Sequence, residues 1–327
     1  MKRLILTGWG GGSELGRSGL AEIVIPFHFD FTWGPLPPAE KLSAYFAAYT
    51  SDLGPADHWS DWVRWPRGAK GRTLSLVEFC EPYDEIELWF GATPRDQLHL
   101  VWLLDHLGSR PELAQKLGLR LLDSDLFFYP DCDFAACDRS IPLVDVTAAT
   151  FETARSAWLA YRSPTPEACI CLLHRDLSAL LRLRPALLEL LAELPSPLTG
   201  LGMTELRFLE MLASGYGNAN ALFHLRSQRA THVFGEIELG YLLEGLALGP
   251  KPAVAGLGDE LRTIDHGNDR ARHAVYLRSR LSLTEFGKEV MAGEENFSRH
   301  NPIDRWWGGT HLTNDRLWRY GAVLTKP

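Results

Sequence analysis

Two stretches of this 327-residue chain carry residue types that can do chemistry. The first is Gly8-Trp9-Gly10-Gly11-Gly12-Ser13, directly after the apolar run Lys2 to Thr7. Glycines between a strand and a helix let backbone N–H groups approach a phosphate, because no Cβ stands in the way. Gly8, Gly10, Gly11, Gly12 and Ser13 are therefore candidate ligand-binding residues, with Asp30 as their acidic companion. The match to a dinucleotide fingerprint is partial. Gly8 and Gly10 fit, Ser13 takes the third glycine's place, and Asp30 lies beyond the second strand rather than at its tip. No Lys-Ser/Thr of a P-loop follows, and a plain tight turn with Ser13 as a helix N-cap accounts for the same residues.

The second stretch is the C-terminal block with Asp304, Arg305, Trp306, Trp307, His311, Trp318 and Arg319. Histidine is the side chain that titrates near neutrality, which makes His311 a candidate proton carrier with Asp304 beside it. Arg305 and Arg319 can fork onto a carboxylate or phosphate, so they are candidate ligand-binding residues. The plainer reading makes Asp304 and Arg305 satisfied polar groups at a packing contact, with the tryptophans as anchors.

Other constellations are thinner. Cys132-x4-Cys137 and Cys169-x-Cys171 lack the paired C-x2-C of a structural zinc site, and residues i and i+2 of a helix do not face each other. His28 with Asp30, and His266 with His273, have no third ligand in view, so no metal is assigned. Nor does any motif name a cofactor. There is no G-x-S-x-G elbow and no cysteine in an activated setting. Trp59, Trp62 and Trp65 form an aromatic stripe that reads as core or lid packing, with Asp57, His58 and Asp61 as solvated neighbours. The basic stretch Arg226 to Arg229, between His224 and His232, can touch phosphates. The helix expected after it carries Glu236, Glu238 and Glu244 and no cation, which would set carboxylates against a DNA backbone.

Composition places these residues in an ordinary folded chain: 46% hydrophobic, 23% charged and 11% aromatic, with a formal charge of −8. Five cysteines are sparse and odd in number, which fits reduced thiols. No apolar run reaches the length of a membrane helix, and Leu4 to Leu6 is too short for a signal-peptide core. The expectation is a cytoplasmic protein. Residues 1–199 hold 26 acidic and 18 basic side chains, against 15 of each in 200–327. Any contact with nucleic acid would thus be local and C-terminal.

The elements that must position the candidates follow from pattern. Lys2 to Thr7, Glu22 to Ile25, Glu85 to Phe90 and Leu119 to Leu122 read as strands. Thr93-Pro94-Arg95-Asp96 opens a helix to Gly108, with Thr93 as cap, Pro94 at the first position and Asp96 closing a capping box. Strands separated by helical patterns imply a largely parallel α/β layer over 1–145. Phe151, Ala154, Trp158 and Tyr161 recur at helical spacing. A helix opened by Pro166 and Glu167, and another over Ala186 to Leu194, complete a helical connector over 146–198. From 199 to 327 the spacing predicts a helix to Leu212, one from about Asn218, and one from Gly235 to Leu246. A hairpin strand over Ala274 to Leu283 and a short helix from Thr284 to Gly293 follow, which is the order of a winged helix. No internal repeat or low-complexity segment interrupts this order.

These landmarks resemble a bacterial family called the domain of unknown function 1835. The strand and Gly loop, Asp30 to Leu36 ending in Gly34-Pro35-Leu36, Leu88-Trp89-Phe90 and Asp96-Gln97-Leu98 carry the resemblance in the first half. Trp158 to Pro164, Gly202 to Leu212, Ile303 to Leu312 and Trp318-Arg319 carry it in the second, with Ile303 to Leu312 the most specific. The resemblance implies no established activity. Two departures stand out: the turn after strand one lacks the family's Gly-Asp-Ser acid, and Gly91 to Arg95 replaces an acidic-His-acidic cluster.

The reading is an α/β protein with a Rossmann-like N-terminal layer, a helical connector and a winged-helix-like module closed by a Trp-rich tail. Its expected function is to bind an anionic metabolite or nucleotide at the Gly loop, with the C-terminal module passing the state to a protein partner. An enzyme acting on a phosphate-bearing small molecule through His311 is the alternative, and a DNA-binding regulator the third reading.

Overall fold

β1 (Arg3–Gly8) lies between β2 (Ile23–Phe27) and β3 (Glu85–Phe90), and its Leu4, Ile5 and Leu6, alternating between the two faces of the sheet, are fully buried. The computed structural model describes residues 2–8, 12–27, 30–36, 74–122, 134–224, 233–264 and 269–327. The fold is mixed α/β with a central sheet of order β2-β1-β3-β4-β5, where β4 is Leu117–Leu121 and β5 is Val144–Asp145. Its first four strands run parallel and only β5 pairs antiparallel.

The chain divides into two compact units: 1–31, 36–162 and 172–186 form the first, and 32–35, 163–171 and 187–327 the second. Helices of the first unit are α1 (Gly12–Arg17), α2 (Leu76–Cys80), α3 (Pro94–Gly108), α4 (Pro111–Ala114), α5 (Phe134–Ser140) and α6 (Ala148–Tyr161). The unit boundary passes through α7 (Glu167–Leu173) and α8 (Leu183–Ala192). The second unit holds α9 (Met203–Ala213), α10 (Ala219–His224), α11 (Glu236–Leu248), α12 (Arg270–Leu277) and α13 (Glu285–Met291). Its strands pair two by two: β6 (Val254–Ala255) with β7 (Ser282–Leu283), β8 (Asp304–Trp307) with β9 (Thr310–Thr313), and β10 (Arg319–Tyr320) with β11 (Leu324–Thr325).

One face of the sheet is apolar and carries α3. The rings of Phe27 and Phe90 lie against His99, and Trp102 packs edge-on to Phe27. Helix α6 packs on α3 in turn, with the Phe151 ring against Gly108 and with Ala154, Trp158 and Tyr161 buried, the helical spacing seen in the sequence. Tyr161 Oη donates to the Phe31 carbonyl at 3.0 Å.

The other face holds Ile5, Val24, Trp89 and Phe134 around a set of charges. Glu87 Oε2 accepts from Arg3 at 2.7 Å, from Arg120 at 2.8 Å and from the Trp89 indole at 2.7 Å. Asp138 of α5 meets the same two arginines, at 2.5 Å and 3.1 Å. Burial alone would raise the Glu87 carboxyl, but the hydrogen bonds from Arg3, Arg120 and Trp89 outweigh it and hold the carboxyl below its ordinary range.

Three local expectations need correction. Asp96 does not close a capping box. Thr93 accepts the Asp96 N–H at 3.2 Å, but the Asp96 carboxylate turns to the Gly91 N–H at 2.7 Å. The span Ala274 to Leu283 is not a hairpin strand. Its first four residues end α12, with Tyr276 turned into the core and Val275 57% exposed, and the rest bridges at Arg280 and pairs as strand at Ser282–Leu283. Helix α8 begins at Leu183, ahead of Pro185, which sits where the first turn needs no N–H.

Glu87→Ala leaves two guanidiniums beneath the sheet without their shared carboxylate. Losing one partner of a buried pair costs about 3 kcal/mol or more. Urea unfolding should show a loss of that size, while Glu85→Ala, at the partly exposed start of β3, should stay within about 0.5 kcal/mol of the parent.

Candidate functional site

Strand order 2-1-3-4 reverses direction of growth between β1 and β3, and in parallel sheets such a switch point opens a crevice outside the carboxyl ends of the strands. Gly8 ends β1 at this crest and Gly91 follows β3. Between them stands Asp96, from the first turn of α3. A Cβ at Gly8 would collide with Asp96 Oδ1, so the glycine is required by the carboxyl lying over it. Burial pushes Asp96 up to about 6, with the nearby Asp30 charge adding to the rise, and the Gly91 N–H and Arg95 work against it.

Asp30 is buried and pairs with Arg95 Nε at 2.5 Å. Gln97, also buried, donates from Nε2 to the Gly91 carbonyl at 2.7 Å, and its Oε1 has no hydrogen-bond partner among the described residues. The first turn of α3 therefore brings a carboxyl, a guanidinium and a buried amide oxygen to the crest, and the chain after β2 brings the second carboxyl. A carboxyl titrating near 6 can accept a hydrogen bond from a hydroxyl or ammonium, or exchange a proton near neutral pH.

Of the sequence candidates, Gly8 and Asp30 belong to this crest. Gly12 and Ser13 are the first residues of α1, and Gly10 and Gly11 lie outside the described residues, as do Trp9 and His28. Asp96, Arg95 and Gln97 were missed as site residues, since Asp96 reads in sequence as a helix cap. A three-residue offset from Thr93 satisfies the capping pattern, and only the strand order reveals what else the carboxyl reaches.

The C-terminal candidates separate onto two faces of one hairpin. Gly308, at φ 53°, makes the two-residue turn with Gly309 that joins β8 to β9. Alternation then puts Asp304, Trp306 and His311 on the outer face. His311 Nε2 lies 2.7 Å from Asp304 Oδ1, and its ring stacks on Trp306 at 4.5 Å. Arg305 and Trp307 face the other way, where Arg305 reaches Glu205 at 3.0 Å and Trp307 donates to the Leu190 carbonyl at 2.6 Å. Arg305 thus serves a buried carboxylate rather than His311. Arg319 donates to the Leu317 carbonyl at 3.1 Å. Behind Arg305, Glu193 is buried and pushed up to about 7 by that burial, against hydrogen bonds from the Thr204 hydroxyl at 2.7 Å and its N–H at 3.1 Å.

The remaining candidates are dispersed. Trp59, Trp62, Trp65, Asp57, His58, Asp61, Cys132, Arg226, Arg229, His232 and His266 lie outside the described residues. Cys169 is buried and Cys171 exposed, as expected for positions i and i+2 of α7. Among the described residues no group of three metal-binding side chains converges, and no helix is long and apolar enough to cross a membrane. No family model matches the chain, and no curated protein matches it.

Two predictions follow from the crest. Gly8→Ala forces Asp96 off its position and should lower stability by about 1–3 kcal/mol in denaturant unfolding. Asp96→Asn keeps an acceptor for Gly91 without the charge. Because the folded-state carboxyl lies above its unfolded value, the parent binds the extra proton when folded and loses stability as pH rises from about 4 to 6. The variant should lack that loss and exceed the parent above pH 6 by at most about 3 kcal/mol, two pK units' worth. Parallel pH profiles for the two proteins would remove Asp96 as the source.

Proposed function

We propose that this protein binds a small anionic metabolite or nucleotide at the crest of its sheet, as a ligand-binding or regulatory protein of the family it resembles, the domain of unknown function 1835. The observation that carries the reading is the Asp96 carboxyl held against Gly8 at the β1/β3 switch point, with the Asp30–Arg95 pair beside it. In this reading the N-terminal unit is a Rossmann-like layer. The carboxyls refine the ligand's chemistry. A negative group placed directly on Gly8 would meet Asp96, so the ligand offers hydroxyl or amine donors to Asp96 and Asp30, and its charge to Arg95. A nucleotide has both, in its ribose hydroxyls and its phosphate. The second unit, with α9, α10 and α11 followed by the β6–β7 pair, is read as a winged-helix-like module that passes the ligand state to a protein partner.

An enzyme acting on a phosphate-bearing small molecule is the second reading, favoured by one observation: a carboxyl near 6 at a switch point suits general acid–base work. In this version Asp96 carries the proton, because Arg305, the cation nearest in sequence to the outward His311–Asp304 pair, turns to the opposite face and holds Glu205.

Thermal shift of the purified chain against nucleosides, nucleotides, sugar phosphates and simple anions tests the proposal. Ligand at a hundred times its dissociation constant adds about 2.7 kcal/mol, a shift of several degrees. The expected outcome is stabilisation by a nucleotide or sugar phosphate that is lost in Arg95→Gln and Asp96→Asn. A shift that persists in both variants would move the ligand away from the crest. Turnover of that ligand, abolished by Asp96→Asn and retained by His311→Gln, would select the enzyme reading.

A further inference from the structure

The second unit carries a groove of about 800 Å³ that the crest reading does not use, lined by Asn218, Asn220, Ala274, Leu277, Arg278 and Arg280 among others. One wall is the turn entering α10, and the other is the end of α12 and the chain leading to β7. Backbone bonds join the walls. Leu281 N–H donates to the Gly217 carbonyl at 2.9 Å, and Asn218 bridges Arg280 in antiparallel fashion. Ser279 between the two arginines is buried, and its hydroxyl accepts the Gly258 N–H at 2.9 Å. With Ser279 turned inward, Arg278 and Arg280 are both delivered to the groove.

These two guanidiniums differ from others of the unit. Arg262, Arg272 and Arg305 hold Glu244, Asp259 and Glu205 respectively. Among the described residues, Arg278 and Arg280 make no side-chain hydrogen bond or ion pair and no acidic side chain lines the groove. Two unmatched cations call for two negative charges on one ligand, and a phosphate monoester near neutral pH supplies about that. Guanidinium forks fit phosphate oxygens in pairs, and the Asn220 amide adds a donor. Ala274 and Leu277 form an apolar strip suited to the organic part of the ester, and the volume is in the range of small-molecule sites. A long nucleic-acid strand would need more cations along its path, whereas the first turn of α11 brings Glu236 and Glu238.

We propose that this groove binds the phosphate monoester of a small organic molecule, gripped by Arg278 and Arg280. The proposal is independent of the crest. Phenyl phosphate is the probe, titrated at low salt into the full ¹⁵N-labelled chain and followed by amide NMR signals, with inorganic phosphate and a short DNA duplex titrated in parallel. The expected result is saturable movement of signals from 217–220 and 274–280. Affinity should fall about tenfold or more in the Arg278→Gln/Arg280→Gln variant, and be largely kept in the Arg278→Lys/Arg280→Lys variant, both melting like the parent because the two side chains are exposed. Inorganic phosphate should bind more weakly than phenyl phosphate. No saturable movement, equal affinity in the Gln variant, or movement confined to the crest would overturn the proposal. So would duplex DNA binding without phenyl phosphate binding, and equal affinity for the inorganic ion would overturn its organic part.

Discussion

A carboxylate set beneath the middle of a parallel sheet has to be answered by cations, and the way Glu87 is answered ties the N-terminal unit together. Arg3 comes from β1, Arg120 from β4 and Asp138 from α5, so one charge set links two strands and a helix to β3. Arg120 also lies over the Trp89 ring at 5.3 Å and donates to the Asp138 carbonyl at 2.8 Å. Such a set offers little net stability over apolar packing, but each partner is costly to remove. Its consequence is register. A one-residue slip of β3 would turn Glu87 into the apolar layer under α3, so the charges and the hydrophobic face enforce the same pairing.

That register places the ends of the strands. With β3 locked beside β1, Gly8 and Gly91 come to the same crest, and the first turn of α3 falls between them. The sheet's apolar face holds α3 in place through Phe27, Phe90, His99 and Trp102, which leaves Asp96 little freedom to retreat to solvent. The raised carboxyl is therefore a product of the whole layer rather than of its neighbours alone. A group kept in an unfavourable state by well-packed surroundings is a common mark of a working site.

Much of this organisation was legible in the residues. Alternating and β-branched runs located β1 to β4, and Thr93-Pro94 and Gly108 bounded α3 because caps and stops are local chemistry. The face of α6 followed from period alone. What could not be read was set by tertiary neighbours. Asp96 has a sequence neighbour to cap and a spatial neighbour to press on, and the second decides its role. Ala274 to Leu283 alternates in hydropathy over a span too short to separate a strand from a helix end, so the packing of Tyr276 decides. The block Asp304 to His311 looks like one constellation in sequence, yet a two-residue turn splits it into an outer His311–Asp304 pair and an inner Arg305. The charges of Arg3, Glu87 and Arg120 were invisible as a set because 84 and 33 positions separate their pairs.

At the crest, burial holds Asp96 as a high-titrating carboxyl. Carboxyl ¹³C NMR of the labelled protein, with the Asp96 signal identified by its loss in Asp96→Asn, reads this directly. The expected result is a midpoint near 6 in the free protein and a displaced midpoint once a crest ligand is bound. A midpoint near 4, the ordinary value for an aspartate, unmoved by any ligand that stabilises the protein, would contradict it.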